Sequence, residues 1–171
     1  METITGCKNL SRNSKKQLQY ASANHLSIFW KAALIFSNCD EAKIHCMIPN
    51  EVKNLKRILL QSELLKKKLK KFKKNSQDYS LAILTFIEVS DLFRKPDRTE
   101  PILKLMFFER NCCSDLKIDN CFELFSNIFN RILSTPVNEV VQDATKQNKS
   151  IKEEIRSFRN GIIRTTLKEN S

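Results

Sequence analysis

The sequence is poor in the residues that build tight turns and phosphate-binding loops. Its 171 residues include only 2 glycines and 4 prolines, so hairpins, bulges and glycine-rich loops have little to form from. It also contains no G-x-S-x-G elbow, no Walker loop and no dinucleotide-binding glycine pattern, the motifs that mark several large enzyme classes. We therefore predict an all-α protein, a compact bundle of about five to seven helices, that is not an enzyme and uses no cofactor.

Candidate metal ligands are few. The chain has 2 histidines and 6 cysteines. Cys39, His45 and Cys46 could supply three zinc ligands, with a fourth from Cys112 or Cys113, but no C-x-x-C pair with zinc-like spacing accompanies them. We predict no metal site and expect these thiols to be free.

Long apolar runs are missing as well. The first ten residues lack the apolar stretch of a secretory signal, and no segment approaches the ~20 apolar residues that a membrane span needs. This pattern indicates an intracellular protein that does not interact with membranes. Free cysteines are expected in that reducing compartment.

The chain is strongly basic, and much of its charge is concentrated in one place. Thirty Lys and Arg against nineteen Asp and Glu give a formal net charge of +11, which attracts nucleic acid or acidic proteins. Seven of the nine residues from 66 to 74, which we call the lysine block, are Lys66, Lys67, Lys68, Lys70, Lys71, Lys73 and Lys74. Three interpretations of the block stay open: a solvated helix end, a nuclear-import patch, or a surface that contacts nucleic acid.

Apolar spacing divides the chain into three parts. Residues 1–22 show no sustained period and are predicted to be a mobile basic arm. Residues 23–134 carry successive helical patterns and are predicted to form the bundle. Residues 135–171 are predicted to be a C-terminal helical extension, because the densest apolar pattern ends near residue 134.

Seven helical patterns, one of them short, follow the arm. Asn24 is predicted to cap a first helix whose packed face is Leu26, Phe29, Trp30, Ala33 and Leu34. A second helix, 50–73, has an apolar stripe of Val52, Leu55, Ile58, Leu59, Leu65, Leu69 and Phe72. A third, 79–93, is apolar almost all round and is predicted to be central, with Ser76 or Asp78 as its cap. Helices starting near Thr99 and Asp115 follow, and Ile151, Ile155, Phe158 and Ile162 mark a last one after a short helical piece.

Four of these segments together resemble a known family. Ser62-Glu63-Leu64-Leu65-Lys66, then Ala82-Ile83-Leu84-Thr85-Phe86-Ile87-Glu88-Val89-Ser90-Asp91-Leu92, then Thr99-Glu100-Pro101-Ile102-Leu103-Lys104-Leu105, then Cys121-Phe122-Glu123-Leu124-Phe125 and the residues up to Leu133 are similar to the integrase-binding domain of the lens epithelium-derived growth factor and hepatoma-derived growth factor-related family. The resemblance extends over about residues 51–133. It implies a right-handed bundle of the TFIIS N-terminal-domain type.

The resemblance also implies a function. In that family, loops between helices bind short disordered motifs of chromatin and transcription regulators. The corresponding loop residues here, the predicted partner-binding residues, are Asn75, Gln77, Asp78, Arg110, Asn111 and Cys113. Asn111 stands where the family has an aromatic residue at the loop tip, so the motif bound here is expected to differ.

We therefore predict a nuclear, non-enzymatic adaptor that binds protein partners with acidic or hydrophobic-anchored motifs, with the lysine block steering the encounter. A cytoplasmic location is the alternative. Two other functions stay open: a structural subunit that assembles through its C-terminal helix, and direct nucleic-acid binding through the lysine block.

Overall fold

A computed structural model describes residues 12–37, 48–74, 76–107 and 120–170. Over these ranges the chain forms eight α-helices and one short 3-10 helix, with no β-strand. The helices are α1 (Arg12–Ala23), α2 (Ile28–Ser37), α3 (Asn50–Lys71), α4 (Gln77–Val89), α5 (Thr99–Met106), α6 (Cys121–Ser134), α7 (Asn138–Lys146) and α8 (Ile151–Glu169), and the 3-10 helix is Pro96–Arg98. The predicted all-α bundle is confirmed.

The helices pack around one apolar core. α3 lies against α2, α4 and α5, while α8 lies against α4, α6 and α7. The core continues through α1 to α6 and into α8. Ile83, Leu84 and Ile87 of α4 are fully buried, which confirms the prediction that this helix is central.

The apolar stripe of α3 packs as its spacing predicted. Val52, Leu55 and Ile58 are buried, and so are the rest of the stripe up to Leu69. Phe72, which follows the helix, is partly buried against the core. The face predicted for the first helix is correct except at Phe29, whose residue surface is 46% exposed.

The structure differs from the prediction of a mobile arm over residues 12–22. These residues form α1, which packs against α2. Ser14 and Ala21 are buried, so α1 presents small side chains to its neighbour. Small residues give a weak apolar period, which is why the spacing did not indicate a helix. Residues 1–11 lie outside the described ranges.

Asn24 does not cap α2, contrary to the prediction. It follows the end of α1, and its side-chain amide donates a hydrogen bond to the carbonyl oxygen of Tyr20 at 3.0 Å. His25 has a φ of 54°, and the amide of Leu26 donates to the carbonyl of Ala21 at 3.0 Å. This is the Schellman geometry, in which glycine is the usual residue at the left-handed position.

Two other helices end in the same C-terminal motif. Asp91, with a φ of 58°, follows α4, and Asn148, with a φ of 52°, follows α7. The prediction that the third helix extends to residue 93 is therefore wrong: α4 ends at Val89, and Leu92, which follows the left-handed residue Asp91, packs into the core. At the start of α4, the Ser76 hydroxyl accepts a hydrogen bond from the Tyr79 amide at 3.2 Å, which confirms the Ser76 cap.

The C-terminal helix belongs to the bundle and is not an extension of it. Ile163 and Leu167 of α8 are fully buried in the same core as α4 and α6. The guanidinium of Arg131 on α6 donates a hydrogen bond to the Thr166 hydroxyl at 3.0 Å and pairs with Glu169. α8 therefore closes the core on the side of α4 and α6.

Tyr79, at the start of α4, buries a hydroxyl that has no hydrogen-bond partner among the described residues. Burial raises the pKa of the Tyr79 phenol, and the neighbouring Cys121 thiol contributes in the same direction. The neutral phenol is therefore favoured in the folded protein. An unfolded chain releases this proton near its ordinary pKa of about 10. Folding stability consequently falls as the pH rises above that value, because the folded state keeps the proton.

We expect Tyr79→Phe to raise the free energy of unfolding at neutral pH by about 1 kcal/mol, because the substitution removes an unpartnered buried polar group. The gain should increase between about pH 9 and pH 11. Urea unfolding at neutral pH, at about pH 9 and at about pH 11 measures this gain in stability, with Tyr20→Phe as the control. Equal pH dependence in the wild type and Tyr79→Phe would contradict the assignment.

Candidate binding interface

The face of α3 that points away from the core combines cations with two exposed leucines. Six residues spaced alternately by four and three positions share this face, which we call the α3 outer face: Lys53, Arg57, Leu60, Leu64, Lys67 and Lys71. All six are exposed, with Leu60 at 49% and Leu64 at 48%. The spacing places them in one row along the helix.

Along the helix, the α3 outer face consists of two cations, then two leucines, then two further cations. Two cations, Lys53 and Arg57, precede the leucines, and Lys67 and Lys71 follow them. With a rise of 1.5 Å per residue, the row from Lys53 to Lys71 is about 27 Å long. The α3 outer face therefore offers an apolar centre with a positive region at each end.

The charge of α3 is strongly one-sided. Its sequence carries Lys53, Lys56, Arg57, Lys66, Lys67, Lys68, Lys70 and Lys71 against Glu51 and Glu63. The last turn includes Lys68, Lys70 and Lys71, where cations also interact favourably with the negative end of the helix dipole. That interaction gives some of these lysines a structural role.

Two members of the lysine block contribute to the structure of the bundle. The Lys66 ammonium forms an ion pair with Glu63 at 2.6 Å, and its side chain is only 12% exposed. The Lys74 ammonium donates a hydrogen bond to the carbonyl oxygen of Asn170 at 3.2 Å, next to the C-terminal end of α8. Lys74 thus joins the end of α3 to the end of α8.

Other lysines of the block remain available to a partner. Lys67, Lys68, Lys71 and Lys73 are exposed and have no acidic partner within the part of the chain that the structure describes. Lys67 and Lys71 belong to the α3 outer face. Those two are therefore the members of the block best placed to meet an anion.

The predicted partner-binding loops are described only in part. Gln77 and Asp78 form the exposed first turn of α4, a few residues beyond the lysine block. Asn75, Arg110, Asn111 and Cys113 lie outside the described residues. The partner-binding role of all six residues stays a prediction.

Candidate chemistry of other kinds has little support in the described residues. Within the ranges given above, no three His, Cys, Asp or Glu side chains are grouped in a way that could hold a metal ion. Cys121 is buried and forms no disulfide within those ranges, and the ligands considered for zinc, Cys39, His45, Cys46, Cys112 and Cys113, lie outside them. In the same part of the chain no helix is both long and apolar enough to cross a bilayer.

The apolar spacing of the sequence did not indicate that Leu60 and Leu64 lie on an exposed face. Leu60 and Leu64 lie off the buried stripe, and the stripe was complete without them. The available signal was this pair of leucines, four residues apart, on the face that also carries the lysines.

Comparison of the chain with protein-family models, with curated proteins and with solved structures found no match.

Proposed function

We propose that this protein is a non-enzymatic interaction module whose α3 outer face binds a segment of a partner protein. The segment carries aliphatic side chains at its centre and acidic side chains on both sides. The observation that carries this proposal is the exposure of Leu60 and Leu64, each about half, between two groups of cations.

The leucines favour a protein partner over nucleic acid. A phosphate backbone pairs with lysines but offers no apolar group to cover two leucines, whose burial contributes about 25 cal/mol for each Å² removed from water. The α3 outer face also carries no aromatic side chain, so bases have nothing on which to stack. An acidic segment with aliphatic anchors matches both parts of the face.

The family resemblance supports the biological setting of this proposal. It suggests a nuclear adaptor for disordered motifs of transcription or chromatin regulators, and the loop that begins α4 follows the lysine block directly. Gln77 and Asp78 are then proposed to extend the contact beyond the end of α3. Assembly through the C-terminal helix has less support, because Ile163 and Leu167 are already buried within the bundle.

Direct nucleic-acid binding is the second candidate, and the density of the lysine block is the observation that favours it. Counterion release would make such binding fall steeply with salt. One experiment therefore has to distinguish peptide binding from nucleic-acid binding.

The test uses two fluorescent probes and three double variants. One probe is a peptide of about 20 residues, long enough to follow the row as a helix, with two leucines four residues apart between blocks of glutamate. The other is a DNA duplex of about 20 base pairs. The variants are Lys67→Glu/Lys71→Glu, Leu60→Ser/Leu64→Ser and the control Lys15→Glu/Lys16→Glu, which changes two exposed cations of α1 by the same charge.

We expect the α3 charge variant to weaken peptide binding by about one to two orders of magnitude at low salt. The leucine variant should weaken peptide binding by about tenfold and leave DNA binding unchanged, while the α1 control has little effect on either. Tighter binding of DNA than of peptide, together with no effect of the leucine substitutions, would reject the proposal in favour of nucleic-acid binding.

A further inference from the structure

A groove lies between the C-terminal end of α4 and the first half of α8, away from the α3 outer face. Its volume is about 800 Å³, and it is lined by Glu88, Ile151, Lys152, Ile155, Arg156 and Arg159. Such a volume lies within the usual range for small-ligand sites. We call it the α4–α8 groove.

The charges in the α4–α8 groove do not balance. The Arg156 guanidinium pairs with the Glu88 carboxylate at 3.3 Å and donates a hydrogen bond to the Thr85 hydroxyl at 3.1 Å. Glu88 is therefore already engaged, and Lys152 has no acidic partner in the described ranges. The groove keeps a net positive charge that an anionic ligand would neutralise.

Arg159 is the groove cation that lies against an aromatic ring. Its guanidinium carbon lies 3.6 Å from the centre of the Phe93 ring, a cation–π contact that restricts the position of the group. Its Nε atom is buried and has no hydrogen-bond acceptor among the described residues. Burial also lowers the pKa of Arg159, an effect that the nearby Glu88 opposes. A carboxylate at this position would accept hydrogen bonds from a group that is already oriented.

The other part of the groove is apolar. Ile151 is 41% exposed and Ile155 lies one turn further along α8. Two isoleucines beside an oriented guanidinium suit a ligand with an aliphatic group next to a carboxylate. A peptide that carries an aliphatic residue beside an acidic one has this chemistry.

We infer that the α4–α8 groove binds a short acidic peptide segment of a partner protein, with a carboxylate on Arg159 and an aliphatic side chain on Ile151 and Ile155. This is a second site, separate from the α3 outer face. Gln77, which follows the lysine block, and the groove residue Glu88 lie near opposite ends of α4. They are eleven residues apart, which corresponds to about 17 Å along the helix.

The probe for this site is the acetylated, fluorescein-labelled peptide Ser-Gly-Ile-Glu-Glu-Ile-Gly-Ser. In a matched control peptide, serine replaces both isoleucines. Binding is measured by fluorescence anisotropy on the full chain. Methyl spectra of isoleucine-labelled protein then report whether the signals of Ile151 and Ile155 shift.

We expect Arg159→Met to weaken binding of the probe by about tenfold or more, because methionine still packs on Phe93 but cannot bind the carboxylate. Arg94→Met is the matched control, since Arg94 is 81% exposed at its side chain and pairs with Asp91. A second variant, Ile151→Ser, changes a partly exposed residue. It should lower the affinity for the probe severalfold without unfolding the protein.

The outcomes separate this site from the α3 outer face. Lys67→Glu/Lys71→Glu should leave the affinity for the octapeptide and the shifts of Ile151 and Ile155 unchanged, so each proposal can fail alone. Equal loss in Arg159→Met and Arg94→Met, or equal binding of the control peptide, would overturn the inference in favour of unspecific charge attraction. Saturation of the groove by decanoate but not by the octapeptide would overturn it in favour of a lipid ligand.

Discussion

Removal of residues 147–171 is expected to unfold the bundle. The deletion takes away Ile163 and Leu167, both fully buried, and uncovers the faces of α4 and α6 against which α8 packs. Burial of one such side chain contributes about 1.5–3 kcal/mol. The two side chains together, with the surfaces they cover, account for a loss comparable to the total stability of about 5–15 kcal/mol of a typical domain.

Circular dichroism and thermal unfolding of the deleted chain would measure this loss. A chain that ends after Lys168 is the matched control, because it keeps Leu167 and loses only the terminal residues, including Glu169 with its ion pair to Arg131. The single substitution Leu167→Asp should reproduce the effect of the deletion in a full-length chain. A deleted chain that keeps the helix content of α1 to α7 and a cooperative transition would show that α8 is dispensable, as a separate C-terminal extension would be.

The sequence predicted the parts of the fold whose buried faces are built from large apolar residues. The stripe of α3 is the clearest case, since each turn supplies Val, Leu or Ile at the core. α8 shows the opposite. Its buried face includes Asn160 and Thr166, while its most regular apolar repeat contains Ile151 and Phe158, which are 41% and 37% exposed. The repeat therefore indicated the helix but not its buried face, although Ile162 of the repeat packs against the core.

Of the two candidate sites, one could be predicted in part from the sequence and the other could not. The lysine block was visible as a run of one residue type, and the structure adds which of its members are engaged, such as Lys66 with Glu63. The α4–α8 groove depends on Glu88 and Arg156, which are 68 positions apart. No local pattern could bring these two residues together, because their contact depends on the placement of α8 beside α4.

The two proposed sites suggest how one partner could bind in two steps. In this proposal the exposed cations of the α3 outer face would attract an acidic segment from a distance, and salt screens that attraction beyond about 10 Å at ordinary ionic strength. The α4–α8 groove offers contacts of short range, the Arg159 guanidinium on the Phe93 ring and two isoleucines, which act only after the encounter. The first site is thus suited to the rate of encounter and the second to the lifetime of the complex.

An aromatic cluster connects α4, the end of α5 and α6. Phe125 is its centre: the rings of Phe107 and Phe129 lie 5.1 Å and 6.3 Å from its ring, the latter edge-on. Phe129 in turn lies 6.3 Å from Phe86 on α4. The cluster is therefore the aromatic link from α5, through α6, to the helix that lines the groove.

We expect Phe125→Ala to lower the free energy of unfolding by about 3–5 kcal/mol, because Phe125 is fully buried and its loss leaves a cavity beside two rings. Phe158→Ala, at a position 37% exposed on α8, should cost less than about 1 kcal/mol. Urea unfolding of both variants, compared through their midpoints at an unchanged slope, measures the difference. Similar losses at the two positions would contradict this expectation and would mean that the packing between α5 and α6 contributes no more than the surface of α8.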